Sequence, residues 1–168
     1  MIEQFRPMTN SVRWVKPTSI HLTVRFLGDT KEQLVPELGG LLSEVASAHP
    51  SASVVADRVG GFPNLRRPSV IWVGPGGPVI AVTEIARAVE LKVRELGFEE
   101  ERKSFKPHLT LGRVRRGQQI GDLADELVSF QPESFRIELD RLVLFKSTLT
   151  PSGPIYERLA ESKLKTAG

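Results

Sequence analysis

Four residues, His-Leu-Thr-aliphatic, occur twice in a chain with only three histidines: His21-Leu22-Thr23-Val24, and His108-Leu109-Thr110-Leu111 87 residues later. In an extended strand successive side chains point to opposite faces. Each copy therefore presents an imidazole and a hydroxyl on one face and two aliphatic groups on the other. The aliphatic pair suits a core, and the polar pair suits solvent or a ligand. One such tetrad alone reads as an ordinary half-buried strand. Two copies, each preceded by Lys-Pro (Lys16-Pro17 and Lys106-Pro107), read as a duplication. Two units fall short of the three or more that a solenoid needs, so the pattern points to a pseudo-symmetric domain.

The chain's 168 residues suffice for one domain, or for two small lobes. No apolar run is long enough to span a bilayer. The first residues, with Glu3, Arg6 and Asn10, lack a signal-peptide core, so the expected location is cytoplasmic. The absence of cysteine removes disulfides, thiolate metal sites and thiol nucleophiles. The net charge of +3 is compatible with a nucleic-acid partner without establishing one. Arg102, Lys103, Lys106, Arg113, Arg115 and Arg116 crowd the second tetrad, which favours an anionic substrate there.

Residues 1–10 show no period and read as an irregular arm. Val12–Val15 alternates as a short strand, and Ile20–Leu27 reads as a strand closed by Gly28-Asp29. Thr30 is an expected N-cap for a helix running to about Ala48, with Pro36 in its first turns. Strands are expected at Val54–Val59, Val70–Val73, 108–115, Ser134–Ser147 and Ile155–Leu159. Gly74-Pro75-Gly76-Gly77-Pro78 terminates the second of these segments, and the last two are joined across Thr150-Pro151-Ser152-Gly153. A second helix is expected from Val79 to Leu96, stopped by Gly97, with a short one at Asp122–Val128. Strands mostly a turn apart, with few helices between them, indicate an α+β class with antiparallel sheets.

Two imidazoles around one ligand can take opposite protonation states near neutral pH, so one can accept a proton while the other donates one. Threonine hydroxyls on the same face can donate to phosphoryl oxygens as charge develops. A phosphodiester matches that set. Metal ligation is disfavoured: there is no His-Glu-x-x-His, and no carboxylates cluster beside either histidine. No cofactor is expected. His49 reads as a helix-end cap. Alternation sets Arg25 on the face of His21 and Thr23, as a second candidate for a phosphate contact or as an ion-paired group. Phe62 and Trp72 are open to either base stacking or core packing.

The paired tetrads resemble the HxTx motifs of the 2H phosphoesterase superfamily, and most of all its RNA 2′,3′-cyclic phosphodiesterases, also called 2′-5′ RNA ligases. The resemblance extends to Arg13-Trp14-Val15-Lys16-Pro17, His21–Gly28, Gly61-Phe62-Pro63, Trp72-Val73-Gly74, Phe105–Arg113, and Ser147, Leu149, Gly153 and Tyr156. It implies one bilobal domain over residues 1–168, with pseudo-twofold duplicated antiparallel sheets and outer helices around a central cleft. It also implies metal-independent opening of a 2′,3′-cyclic phosphate on RNA ends or nucleotides to a 2′-phosphomonoester. His21 is then the proton donor, His108 the proton acceptor, and Thr23 and Thr110 hold the phosphate. Arg113 matches a position that contacts substrate, although strict alternation turns it away from His108 and Thr110 unless Gly112 allows a bulge. The same site would also allow a weak 2′-5′ RNA ligase activity. The same fold also admits a non-catalytic RNA-binding module, or an enzyme for a non-RNA cyclic phosphate. Family members usually start with an additional strand and a long helix. Their apparent absence here leads to the expectation of an uncovered sheet edge and, through it, of reduced stability or an oligomer that covers the gap.

Overall fold

The computed structural model describes residues 1–77, 79–150 and 153–166. The turn expected at Pro151-Ser152, and Pro78 as a terminator of the strand before it, lie outside the described residues. Contacts divide the chain into two units. One comprises Met1–Thr23, Val55–Pro78 and Pro107–Ile137; the other comprises Val24–Val54, Val79–Lys106 and Glu138–Gly168. Each has its own apolar core.

The first unit is built on a four-stranded antiparallel sheet of β1 (Val12–Trp14), β5 (Leu109–Val114), β4 (Val70–Gly74) and β3 (Arg58–Phe62), in that order. Val12, Val59, Ile71, Val73, Leu109 and Leu111 form its buried face, together with Leu123 and Leu127 of the short helix α4 (Leu123–Ser129). The N-terminal residues are not an irregular arm. They form a one-turn helix, α1 (Ile2–Phe5), and a 3-10 turn (Arg6–Met8). Phe5 is fully buried, edge-on to Phe130 at 5.0 Å between ring centroids, and stacked at 6.4 Å on Trp14. A single turn has no repeat for a periodicity argument to find, which is why the segment was illegible. Ile2 and Phe5 supply apolar cover to the sheet from this short segment.

The second unit contains α2 (Val35–Ala48), α3 (Ile80–Glu95) and the long ribbon of β7 (Arg141–Thr150) with β8 (Gly153–Lys163). Leu38, Leu41, Leu42 and Val45 of α2 and Ile85, Val89 and Val93 of α3 make its core with Leu142. Both helical stripes follow the sequence period. Thr30 does not cap α2. A 3-10 turn (Glu32–Leu34) intervenes, and the helix begins where Pro36, with its fixed φ and missing N–H, suits the first turn. Gly97 ends α3 at φ +88°, and the N–H of Phe98 donates back to the Val93 carbonyl at 3.2 Å.

Two expected strands are each cut in two. Val54–Val59 divides at Asp57 into β2 (Ala52–Ala56) and β3, and 134–147 divides at Asp140 into β6 (Phe135–Leu139) and β7. The β1–β5, β5–β4, β4–β3 and β7–β8 pairings are all antiparallel, and with the four α-helices of the described residues they make an α+β fold.

Replacing Phe5 by alanine removes a fully buried ring from a core it shares with Trp14 and Phe130. Urea denaturation should show a loss of about 3–5 kcal/mol. A loss below ~0.5 kcal/mol, ordinary for a surface position, would mean that the N-terminal turn does not pack as described.

Candidate active site

The first tetrad is not part of a long strand. Between Ile20 and Leu27 its only bridge is a single antiparallel one, Leu22 opposite Leu109. A 3-10 turn at Pro17–Ser19 interrupts the ladder after β1, and the chain then rejoins β5 further along. Leu22 and Leu109 both pack in the core of the first unit. An antiparallel bridge between these residues sets His21 opposite Thr110 and Thr23 opposite His108. The two histidines are diagonal neighbours, a relation that spans roughly 7–8 Å. All four side chains are half-buried.

Across β5, Thr110 is paired with Trp72 and Leu109 with Val73. The next pair is Ile71 with Gly112, so Leu111 is an extra residue in β5 without a partner in β4. This bulge inverts the phase of the strand. Gly112 turns to the buried side, where an added Cβ would lie 2.6 Å from Val12 Cγ1. Arg113, paired with Val70 on one side and Arg13 on the other, emerges exposed on the face of Thr110 and Trp72. Strict alternation, which turns Arg113 away, fails for this physical reason.

Trp72 lies across β3 at Gly60, where a Cβ would meet the indole at 2.0 Å. The glycine is therefore required for the ring to lie flat on the sheet. Phe62 stands 5.4 Å from Trp72 and edge-on to His108 at 5.0 Å, with 85° between the planes, and Trp72 is 6.2 Å from His108. Phe62 and Trp72 thus form an aromatic wall beside the second histidine. On the first histidine, Nδ1 lies 2.8 Å from the Ser19 carbonyl and must carry the proton to donate to it. That contact selects one tautomer and leaves Nε2 as the nitrogen for proton exchange.

Arg25 is engaged by carboxylates and carbonyls of its own unit. It belongs to the other unit, with its side chain only 12% exposed. Nε approaches Glu90 Oε2 at 2.6 Å and Nη1 approaches Glu101 at 3.6 Å. Further hydrogen bonds run to the carbonyls of Phe26 and Glu99. The Nε–Glu90 contact is close but poorly aligned for a hydrogen bond, so charge pairing is what compensates the two buried atoms. Nothing in the local sequence pointed to Glu90, which is 65 positions away along the chain. His49 is a helix-end group, with Nδ1 2.8 Å from the Val45 carbonyl in the last turn of α2. Sequence reasoning also passed over Gly60 and the position of Arg13. Their pairing partners were the missing information.

A family model described as LigT like Phosphoesterase matches residues 2–72 and again residues 73–156. The chain belongs to the LigT-like phosphoesterase family. Each of the two matches contains one tetrad, and the histidine, leucine and threonine of both tetrads belong to the first unit. An RNA 2′,3′-cyclic phosphodiesterase of Methanocaldococcus jannaschii is 34% identical over 160 residues, 95% of this chain and 87% of that protein. One from Archaeoglobus fulgidus is 36% identical over 151 residues, 89% of this chain and 82% of that one. The crystal structure of E. coli LigT complexed with 3′-AMP superposes with a TM-score of 0.76 at 20% identity, covering 97% of this chain and 88% of that one. At that identity the likeness is one of fold.

Arg25→Ala leaves Glu90 without its closest cation in a mostly buried setting. The expected result is a loss of roughly 2–4 kcal/mol in equilibrium unfolding, partly restored by the double variant Arg25→Ala/Glu90→Gln. An unchanged unfolding midpoint would sink the structural assignment of this arginine.

Proposed function

We propose that this LigT-like phosphoesterase opens 2′,3′-cyclic phosphates on RNA or nucleotide ends to 2′-phosphomonoesters, by two-histidine acid–base chemistry without a metal. The observation that carries the reading is the Leu22–Leu109 bridge, with His21 across from Thr110 and Thr23 across from His108. A phosphoryl group fits between two imidazoles on that diagonal, with a hydroxyl from each strand beside it. His108 takes a proton from water as the water oxygen bonds to phosphorus. The bond from phosphorus to the 3′ oxygen breaks, and His21 delivers its proton to that oxygen.

The sequence names of the relatives and the family membership support the substrate class. The Ser19 contact supports an acid acting through Nε2 of His21. The edge-on ring of Phe62 supports a fixed orientation for His108. Thr23 and Thr110 donate to the non-bridging oxygens, and Arg113 adds a positive charge on the same face. Arg25 has a structural task in this reading. With a 5′ hydroxyl in the place of water, the same steps form a bond from its oxygen to phosphorus and break the bond to the 3′ oxygen, a 2′-5′ ligation.

Turnover of a 2′,3′-cyclic nucleotide should persist in EDTA and yield the 2′-phosphate. His21→Ala and His108→Ala should each lower kcat by about 10²–10⁴-fold with unfolding transitions unchanged. The wild-type pH–rate profile should be bell-shaped, and each variant should lose one limb. Salt-dependent RNA binding with no hydrolysis, indifferent to both substitutions, would instead identify a binding module.

A further inference from the structure

Arg13 and Arg113 are direct cross-strand partners in the β1–β5 ladder. Like charges in that relation repel and cost stability. Other arginines of the chain are ion-paired, Arg25 with Glu90 and Glu101, and Arg141 with Asp140 and Glu161. Among the described residues neither the Arg13 nor the Arg113 guanidinium has a hydrogen-bond or ion-pair partner, and both residues are exposed. The bulge at Leu111 makes the juxtaposition possible on the outer face, because it turns Arg113 to the side of Thr110 and Trp72.

The register extends the argument across the sheet. Arg13, Arg113, Val70 and Phe62 form one row, each paired with the next. The neighbouring row carries His21, Thr110, Trp72 and Gly60. Arg113 is three positions along the strand from Thr110, at most about 10 Å. Two unpaired guanidiniums one row along the sheet from Thr110 and His21 call for a second anion beside the one at the tetrads. On a strand ending in a cyclic phosphate, every other phosphate lies on the 5′ side.

We propose that Arg13, across the ladder from Arg113, binds the phosphodiester 5′ to the terminal nucleotide, so that the site takes an RNA strand end in preference to a cyclic mononucleotide. This rests on the hydrolytic reading above and names its substrate class more closely. Arg113 then lies between the two anions, and its charge is shared by both. The contact is to backbone, so it adds affinity without base preference.

The test compares a 2′,3′-cyclic mononucleotide with a short oligoribonucleotide ending in a 2′,3′-cyclic phosphate, in wild type and Arg13→Gln. Wild type should prefer the oligomer in kcat/KM, and Arg13→Gln should shrink that preference by about tenfold. An oligomer whose last internucleotide linkage is a neutral methylphosphonate should lose the same factor with wild type, and Arg13→Gln should then cost nothing further. That substrate arm leaves the protein unaltered, so it does not depend on how the variant folds. Affinity for the 2′-phosphate product oligomer should also fall, with the salt slope reduced by about one. Equal effects of Arg13→Gln on both substrates, or full turnover of the methylphosphonate, would overturn the subsite. Failure of wild type on both substrates would instead overturn the hydrolytic reading, and product affinity would still decide the role of Arg13.

Discussion

The site depends on one contact between aliphatic side chains. Leu22 and Leu109 meet across an antiparallel bridge in the core of the first unit, and no hydrogen-bonded strand of any length supports the first tetrad apart from this. Burying both leucines removes apolar surface from water and simultaneously selects which way the flanking residues point. A one-residue slip of either segment would send its histidine and threonine inward, and leave a leucine outside. The hydrophobic effect thus sets the register, and the register sets the relation of the two imidazoles.

The sheet that carries this arrangement is shaped by places where it departs from regularity. Leu111 has no partner in β4, and the resulting change of phase moves Gly112 into the core and Arg113 out of it. Gly60 lets Trp72 lie against β3, and Trp72 with Phe62 forms the wall at His108. A side chain at either glycine would demand displacement of a tryptophan or a core valine. The chemistry-bearing residues are placed by the small residues beneath and beside them.

Arginine shows how the same side chain takes different roles in one chain. Arg25 is enclosed by Glu90, Glu101 and two backbone carbonyls, a set that compensates its burial and leaves little capacity for a ligand. Arg13 and Arg113 stand exposed and opposite one another. Arg25 and Arg113 each lie within five residues of a proposed catalytic group, and Arg13 is the ladder partner of Arg113, so nearness in sequence does not separate the three. Their counter-charges do.

Local pattern was enough for much of this protein. The stripes of α2 and α3, the stop at Gly97, the short strands β1 and β4 and the repeated tetrad could all be read from residue order, because helix and strand periods act over a few residues. The buried turn at Ile2–Phe5 escaped because one turn carries no repeat. The breaks at Asp57 and Asp140 escaped because extended residues on either side share the same composition. What remained for tertiary structure were the relations between distant segments: Leu22 with Leu109, the missing partner of Leu111, Arg25 with Glu90, and Arg13 across from Arg113. Residue order specifies which face a side chain takes within an unbroken strand. Only pairing with another strand decides where that phase resets, and which charges meet when it does.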